Sequence, residues 1–482
     1  MAEHLQPPFD RATTADPQER ERCVELMLAY IYHNLPNYPL YNGARFTALA
    51  ASRGGADRLS RLPRDLLCNI LPRLPVKDTA RTAALSSRWR VLWRSTPLIL
   101  VDIHLHPKAR AFRPTPAFSH VLEAHSGPFG CIHLVYSHMD RYRAQIARWV
   151  QLLASKGVQD LILVNRPWPL DVPLPASLFT ITTLTRLYIG VWKLPGTAAL
   201  RGASFPHLRE LGLYFVEMEA WSTALSTPSQ SLRCMQICGS VLEDIAVVKA
   251  PRLVRLILIK SCKTARDLCT RLSIVDAPKL HTFGYLEPGQ VLEVGETVIM
   301  PGINASVSAM LTSVKILTLN VHFGVRNDVK MVPTFLKCFP NAERLHIESD
   351  KCDKPTGDHL TAKFWEESGP IENVVSRINV MTFREFKGDR GEVGFVQYVF
   401  QSSRALEMVA IFMAKPSSTP FSEDEAFVKA QFSARNMVSK SCQKCIIWSS
   451  HPAGRDAWSL KIGADFSFED TFTVTSVKEE DS

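Results

Sequence analysis

No run of about 18 uncharged apolar residues occurs in this chain of 482 residues, so no membrane-spanning helix is expected. The opening Met1-Ala2-Glu3-His4 lacks the basic-then-apolar layout of an export signal. Closely paired cysteines are missing as well. The 11 cysteines are odd in number and scattered, unlike the dense pairs of small secreted domains. These absences lead us to expect a reducing compartment, the cytoplasm, the nucleus or both. Asn304-Ala305-Ser306 matches a glycosylation sequon, and without export it is expected to stay bare.

Catalytic signatures are also lacking. There is no G-x-x-x-x-G-K-[ST], no G-x-S-x-G and no H-E-x-x-H, so phosphate-loop, hydrolase-elbow and zinc-protease chemistry have no carrier. Cys442 and Cys445 form one C-x-x-C pair, whereas a structural zinc needs four ligands. His104 and His106 alternate on an expected strand, and two ligands make no site. No catalytic residue, metal or cofactor is expected. Asp and Glu pairs in the middle of the chain read as solvated surface charges.

What is present is ordinary in bulk and uneven in distribution. Hydrophobic residues make up 46% and charged residues 21%, as in globular proteins. The length suggests about three domains at ~150 residues each. Net charge is +9. Between Arg53 and Arg94 stand ten basic residues (Arg53, Arg58, Arg61, Arg64, Arg73, Lys77, Arg81, Arg88, Arg90, Arg94) against Asp57, Asp65 and Asp78. That short stretch carries +7 of the total, leaving +2 elsewhere. So local a pole points to an acidic partner for that segment, and a nucleic-acid face along the whole chain is not expected.

Residues 1–52 read as a separate extension. Asp16-Pro17 can start a helix, in which Cys23, Val24, Met27, Leu28 and Ile31 fall at helical spacing. Asn34 to Pro39 ends it, and Gly54-Gly55 is a joint. Residues 53–98 read as compact helices. Leu62, Leu66, Leu67, Ile70, Leu71 and Leu74 form one amphipathic face. Pro63 is tolerated in the first turn, Pro72 falls in the last turn and Pro75 closes the helix. Asp78 is expected to cap a second helix running through Leu85. Ser86 is expected to cap a third, carrying Trp89, Leu92 and Trp93.

From about 130 to 350 the pattern L-x-x-L-x-L recurs. The copies are Leu184/Leu187/Ile189, Leu208/Leu211/Leu213, Leu232/Met235/Ile237, Leu253/Leu256/Leu258, Leu280/Phe283/Tyr285, Val314/Leu317/Leu319 and Ala342/Leu345/Ile347. Their alternation fits short strands with one buried face. Leu242, Ile245 and Val247 form an extra copy out of rhythm. Pro206, Pro251, Pro278 and Pro340 precede four copies, where a missing N–H suits the residue just before a strand joins its ladder. A period of about 20–29 residues with this consensus is the leucine-rich repeat, a stacked solenoid, here placed at 99–360. The asparagine that usually follows the triplet is mostly missing, so irregular repeats with imperfect stacking are expected. Residues 361–482 read as a small mixed domain. Val380, Thr382, Phe383 and Phe386 suggest a strand, Val393, Val396, Val399 and Phe400 a helix, and Leu406 to Phe412 a second strand. The charged tail from Val477 to Ser482 is expected to be disordered.

Two resemblances add to this reading. The run DRLSRLPRDLLCNILPRLPVKDTARTAALSSRWRVLW, Asp57 to Trp93, resembles the plant F-box. It carries Leu62-Pro63, the pairs Leu66-Leu67 and Ile70-Leu71, Leu74-Pro75, Asp78, Leu85-Ser86, Trp89 and Trp93. So small a module cannot hide this many large apolar residues alone, so some must face a partner. The resemblance implies a Skp-type adaptor as that partner and cullin beyond it. Leu62, Pro63, Leu66, Ile70, Leu71, Leu74 and Trp89 are the residues it implies for the contact.

The stretch Met381 to Phe412 is similar to the FBD domain of plant F-box/leucine-rich-repeat proteins. Phe386, Gly388, Glu392, Leu406 and Met408 match its spacing, and Lys363-Phe364-Trp365 and Gly369-Pro370-Ile371-Glu372 match its lead-in. One departure lies between Leu213 and Leu232, where the family's Cys-Pro-x-Leu-Glu block is replaced by a short polar stretch, Met218 to Ser231. A missing or distorted repeat is expected there. The expected fold class is α+β: a helical F-box, an irregular leucine-rich-repeat α/β solenoid and a small mixed C-terminal domain. The implied role is substrate recognition in an SCF-type cullin ubiquitin ligase, with an unknown target protein and no catalysis. A repeat-based binding scaffold that works without the ligase is the alternative.

Overall fold

A computed structural model describes residues 17–37, 61–74, 76–105, 117–137, 139, 142–166, 173–196, 203–218, 230–242, 244–247, 250–259, 271–286, 291–294, 297–299, 310–349, 362–414, 437–448 and 460–472. Asp16, Gly54-Gly55, Pro75, His106, Thr227-Pro228-Ser229, the sequon at Asn304 and the tail from Val477 lie outside them. The chain divides into two compact units, Leu35–Met218 and Met1–Asn34 with Glu219–Ser482.

The unit Leu35–Met218 begins with three helices, α2 (Arg64–Ile70), α3 (Val76–Thr82) and α4 (Ser87–Ser95). The expected first helix is shorter than its apolar face. It gives way to a 3-10 turn at Leu71–Arg73, because Pro72 lacks the N–H that an α-turn needs. Asp78 is the third residue of α3 and pairs with Arg81 at 3.0 Å, so it does not cap that helix. Single i→i+3 turns carry the chain on from Thr82 to Leu85. Ser86 caps α4 as expected, its side chain accepting from the Trp89 N–H at 3.4 Å.

After Thr96-Pro97 the chain enters a parallel sheet of β1 (Leu98–Val101), β2 (Phe129–Leu134), β3 (Asp160–Val164), β4 (Arg186–Gly190) and β5 (Glu210–Tyr214), paired in that order. Helices α5 (Ala117–Ala124) and α6 (Arg143–Ser155) lie between β1, β2 and β3 in the chain, and a two-residue strand, β6 (Glu217–Met218), follows β5.

The other unit takes in α1 (Pro17–Asn34), so the expected separate extension supplies an element of a larger body. Cys23, Val24, Met27, Leu28 and Ile31 are all buried on α1, as their spacing predicts, and the Cys238 thiol donates to Tyr30 Oη at 3.6 Å. The strands are β7 (Cys234–Cys238), β8 (Val241–Leu242), β9 (Asp244–Val247), β10 (Arg255–Ile259), β11 (Arg271–Ile274), β12 (Thr282–Leu286), β13 (Val291–Val294), β14 (Thr297–Ile299), β15 (Ile316–Val321), β16 (Arg344–Ser349), β17 (Val380–Phe386), β18 (Met408–Met413) and β19 (Gln443–Trp448). The helices are α7 (Arg326–Cys338), α8 (Ala362–Glu367), α9 (Glu372–Ser376), α10 (Arg390–Ser402) and α11 (Leu460–Ala464). Strands β7, β10, β12, β15, β16, β17, β18 and β19 pair in parallel in that order.

All seven triplets are buried. The out-of-rhythm copy has its own explanation: Ile245 and Val247 lie on β9, which pairs with β11, which pairs with β13, in a second small sheet. Four further copies carry the pattern, two within the expected limits of 99–360 and two beyond residue 360. Phe129/Ile132/Leu134, Val158/Leu161/Leu163, Ile378/Met381/Phe383 and Leu406/Val409/Ile411 occupy the same three buried places on β2, on or just before β3, and on or just before β17 and β18. The C-terminal domain is therefore no independent sheet. Its strands continue the parallel ladder of β16.

Two backbone devices stack the repeats. The carbonyls of Gln159, Thr185, Arg233, Val254, His281, Lys315, Glu343 and Asn379 each accept two successive N–H groups from the next strand's entry. At the strand exits, Asn165, Val191 and Gly239 donate their N–H to the last carbonyl of the next strand, at 2.8, 2.9 and 2.8 Å. Val191, Phe215 and Gly239 take φ of 60°, 52° and 58° there. Backbone groups thus satisfy the turn where the usual asparagine is missing, and β3, β4 and β5 stack in uniform register. The expected irregularity is found where β12 meets β15, with a register shift between Phe283 and Leu286. The prolines sit earlier than expected. Pro206, Pro251, Pro278 and Pro340 each follow the residue whose carbonyl accepts an i+3 N–H, as at Phe205 from Leu208 and Ala250 from Leu253. They occupy the second position of a β-turn, where a fixed φ near −65° fits.

The FBD-like motif residues have clear physical work. Gly388 takes φ 85°, open to glycine at little cost. Glu392 is fully buried and gathers the N–H groups of Lys387, Gly388 and Asp389 at 2.8, 2.8 and 3.1 Å. Phe386 and Leu406 are core residues, whereas Met408 is exposed.

Asp102 does a comparable job in the other unit. It accepts from the N–H groups of Val135, Tyr136 and Ser137 and from the Ser137 hydroxyl, at 2.8 to 3.1 Å. Burial pushes its carboxyl up from 3.8 to about 6, while those hydrogen bonds pull it down. The folded state therefore holds this proton more tightly than the unfolded chain. The group's stabilisation is full below about pH 4 and is lost as pH rises through about 6. An Asp102→Asn chain should show a flatter fall of the urea midpoint between about pH 4 and pH 6. An unchanged slope would remove Asp102 as its cause.

Candidate functional site

The helical module α2–α4 closes a small core of its own. Leu67, Leu71, Trp89 and Leu92 are buried together, with Leu62, Cys68 and Leu74 packed partly exposed against them. The Arg88 guanidinium donates to the Leu62 carbonyl at 2.7 Å and holds the entry to α2. The Thr79 hydroxyl lies 3.2 Å from both the Leu71 and the Leu74 carbonyl, fastening α3 to the 3-10 turn.

The residues expected at the adaptor contact divide accordingly. Leu66 and Ile70 are 49% and 40% exposed. They stand four residues apart on α2, with exposed Pro63 three residues before Leu66, so the three share one helix side. Leu62 and Leu74 are half-buried at the edge of the core. Leu71 and Trp89 are inside it, where they shape the module and offer no surface. Leu85 and Val91, 67% and 55% exposed, are further apolar side chains on the outside that the periodicity did not single out.

Cations surround these side chains. Arg61, Arg64, Arg73, Lys77, Arg81, Arg88, Arg90 and Arg94 are all exposed. Arg81 and Asp78 form an ion pair at the surface, which contributes little in water. The basic pole expected from the sequence is thus on the outside of the module and carries an apolar stripe within it.

The module is fastened to the first repeat of its unit. Only Thr96 and Pro97 separate α4 from β1. Trp93 packs edge-on to His125 with ring centroids 5.1 Å apart. A side chain at Gly127 would stand 2.6 Å from the Arg94 carbonyl, so that approach needs glycine.

Burial pushes the Cys131 and Cys338 thiols up to about 12, so neither is a thiolate nucleophile at neutral pH. Among the described residues, no three His, Cys, Asp or Glu side chains come together as metal ligands. His104 lies in a 3-10 turn, Asp102–Leu105, and not on the expected strand. No described helix is long and apolar enough to cross a membrane.

Comparisons with known proteins agree with this architecture. Residues 59–100 match the F-box domain model. Residues 146–225 and 220–347 match the model for the LRR repeats of FBD-associated F-box protein At5g56370, and residues 366–411 match the FBD model. The chain is 28% identical over 215 residues to F-box protein At1g60400 of Arabidopsis thaliana, covering 42% of this chain and 49% of that protein. It is 26% identical over 279 residues to F-box/LRR-repeat protein At3g26922 of the same plant, covering 55% and 89%. With the plant's F-box/FBD/LRR-repeat protein At5g56420 it shares 30% identity over 203 residues, covering 40% and 44%. The chain thus spans about half the length of the first and third of these relatives. It carries an F-box, leucine-rich repeats and an FBD domain, and its homologues include F-box/FBD/LRR-repeat proteins of Arabidopsis.

Proposed function

We propose that the chain is the substrate-recognition subunit of an SCF-type cullin ubiquitin ligase. Its F-box binds a Skp-type adaptor through Pro63, Leu66 and Ile70, with Leu62 and Leu74 at the margin, and through the adaptor reaches cullin. Its repeats hold a target protein. The carrying observation is that Leu66 and Ile70 remain exposed although the F-box has closed a core of its own. Large apolar side chains arranged in this way on a cationic surface fit a partner with an apolar groove and acidic rim. The role is non-catalytic. Holding a target near a charged ubiquitin carrier raises the rate by proximity, and the short, packed junction at Thr96-Pro97 keeps the F-box fixed on its own unit. This reading places the protein in the cytoplasm, the nucleus or both.

The test is co-purification of the full chain with a Skp-type adaptor and cullin. Leu66→Ala/Ile70→Ala is expected to weaken adaptor binding by about 30-fold or more, as two central apolar anchors would, with the thermal midpoint nearly unchanged. Failure of the intact chain to bind any adaptor, while it still retains a target, would establish the ligase-independent scaffold instead.

A further inference from the structure

Alternate residues of the parallel strands in the unit Met1–Asn34 with Glu219–Ser482 point away from the buried triplets. On β7, β10, β16 and β17 these are Cys234, Gln236, Arg255, Arg344, His346 and Arg384. Cys234, Arg255, Thr282, Ile316 and Arg344 form one lateral row across β7, β10, β12, β15 and β16, and His346 stands two residues further along β16. A sheet face of this kind is the usual binding surface of a repeat array. Here it is covered by the chain's own segment Leu460–Phe472.

The manner of that cover is ligand-like. The Arg255 guanidinium donates to the carbonyls of Gly463 at 2.9 Å, Asp465 at 2.8 Å and Phe468. Arg384 donates to the Phe472 carbonyl at 2.8 Å. The Phe466 ring lies under two guanidinium groups, with Arg233 and Arg255 4.1 and 4.4 Å from its centroid. Asp470 is bound by Arg344 at 3.2 Å and His346 at 3.1 Å, while Glu469 reaches Arg344 at 3.3 Å. Phe472 is 1% exposed, against Tyr285 and His346. The carbonyls at the end of α11 and in the turn after it give attachment that depends on main-chain shape, and the aromatic and acidic side chains give selectivity.

We infer that this sheet face is a binding site for a peptide that leaves a short helix into a turning segment and carries an aromatic residue, two acidic residues and a second aromatic residue at the spacing Phe466, Glu469-Asp470, Phe472, and that the segment Leu460–Phe472 occupies it as an intramolecular pseudo-ligand. A target segment of the same chemistry gains the face only by displacing it. Tethering gives the segment an effective concentration on the order of millimolar, so an incoming peptide of equal intrinsic affinity is held off until it is abundant or multivalent. If the chain is a ligase receptor, this names the target class and its gate, and that part rests on the reading above. The peptide site itself does not, because its test contains no adaptor.

The probe is a fluorescently labelled peptide of residues 460–472, titrated into full-length chains. A Phe466→Ala/Asp470→Ala chain, whose own segment is weakened, is expected to bind it at least about tenfold more tightly than the wild type. Adding Arg255→Met to that chain should abolish binding, as should the Phe→Ala/Asp→Ala changes in the peptide. Equal binding to wild-type and weakened chains, or none to either, overturns the inference. If the double variant fails to fold, Asp470→Ala alone carries the same comparison. Hydrogen exchange on the wild-type chain gives a second readout. Amides of 463–472 are expected to exchange faster than those of β10 and β16, and faster still when the unlabelled 460–472 peptide is added in excess. Exchange of all three only through global unfolding would show that the segment is never released.

Discussion

Replacing Trp89 by alanine is expected to destabilise the unit Leu35–Met218 by about 3–5 kcal/mol. Trp89 is 5% exposed and shares its core with Leu67, Leu71 and Leu92. Few side chains make up so small a core, and no neighbour can refill an indole-sized hole. Its backbone N–H also receives the Ser86 cap, so the start of α4 is tied to the same place. Urea unfolding followed at the F-box measures the loss. A change of about 1 kcal/mol or less would mean that the four-residue core does not carry the module. Trp89→Ala should also lower adaptor binding, but through loss of fold. The Leu66→Ala/Ile70→Ala chain separates the two causes, since it leaves the core intact.

Glu392→Ala is expected to cost about 3 kcal/mol, because it strands buried or half-buried hydrogen-bond donors. The carboxylate accepts from three successive backbone N–H groups, those of Lys387, Gly388 and Asp389, and from the Ser349 hydroxyl at 2.5 Å. It thereby joins the end of β16, the loop after β17 and the first turn of α10. Burial pushes its carboxyl up, against the pull of the Ser349 and Lys387 hydrogen bonds. Glu392→Gln keeps one acceptor and the shape, and should lose markedly less than Glu392→Ala. Equal losses in the two variants would mean that the hydrogen bonds are not what holds this loop.

Glu392 also shows why the FBD region is stable without a sheet of its own. Glu392 ties α10 to a strand of the repeats, and β17 to β19 take their hydrogen bonds from β16 onward. Any truncation between β16 and β17 cuts through a ladder and leaves an open edge.

The helical F-box and the strand-forming triplets are legible in the amino-acid order alone. Each depends on local spacing, and period alone tells which residues of a strand share a face. The cap at Ser86 and the buried face of α1 were legible for the same reason. The basic pole was legible because charge is counted along the chain. The rest depends on packing between elements distant in the chain. Which leucines of α2 face inward depends on where the helix stops, and Pro72 stops it at a 3-10 turn, which sends Leu71 into the core and leaves Leu66 and Ile70 outside. The strands at Ile378 and Leu406 read alike whether they form a sheet of their own or extend the repeats, so their membership became visible only through pairing. The place of Leu460–Phe472 on the sheet depends on contacts more than 100 residues apart in sequence, such as Arg344 with Asp470. Local periodicity holds no information about such contacts. The F-box is written in short-range pattern, whereas the occupancy of the repeat face is decided by what the fold brings back to it.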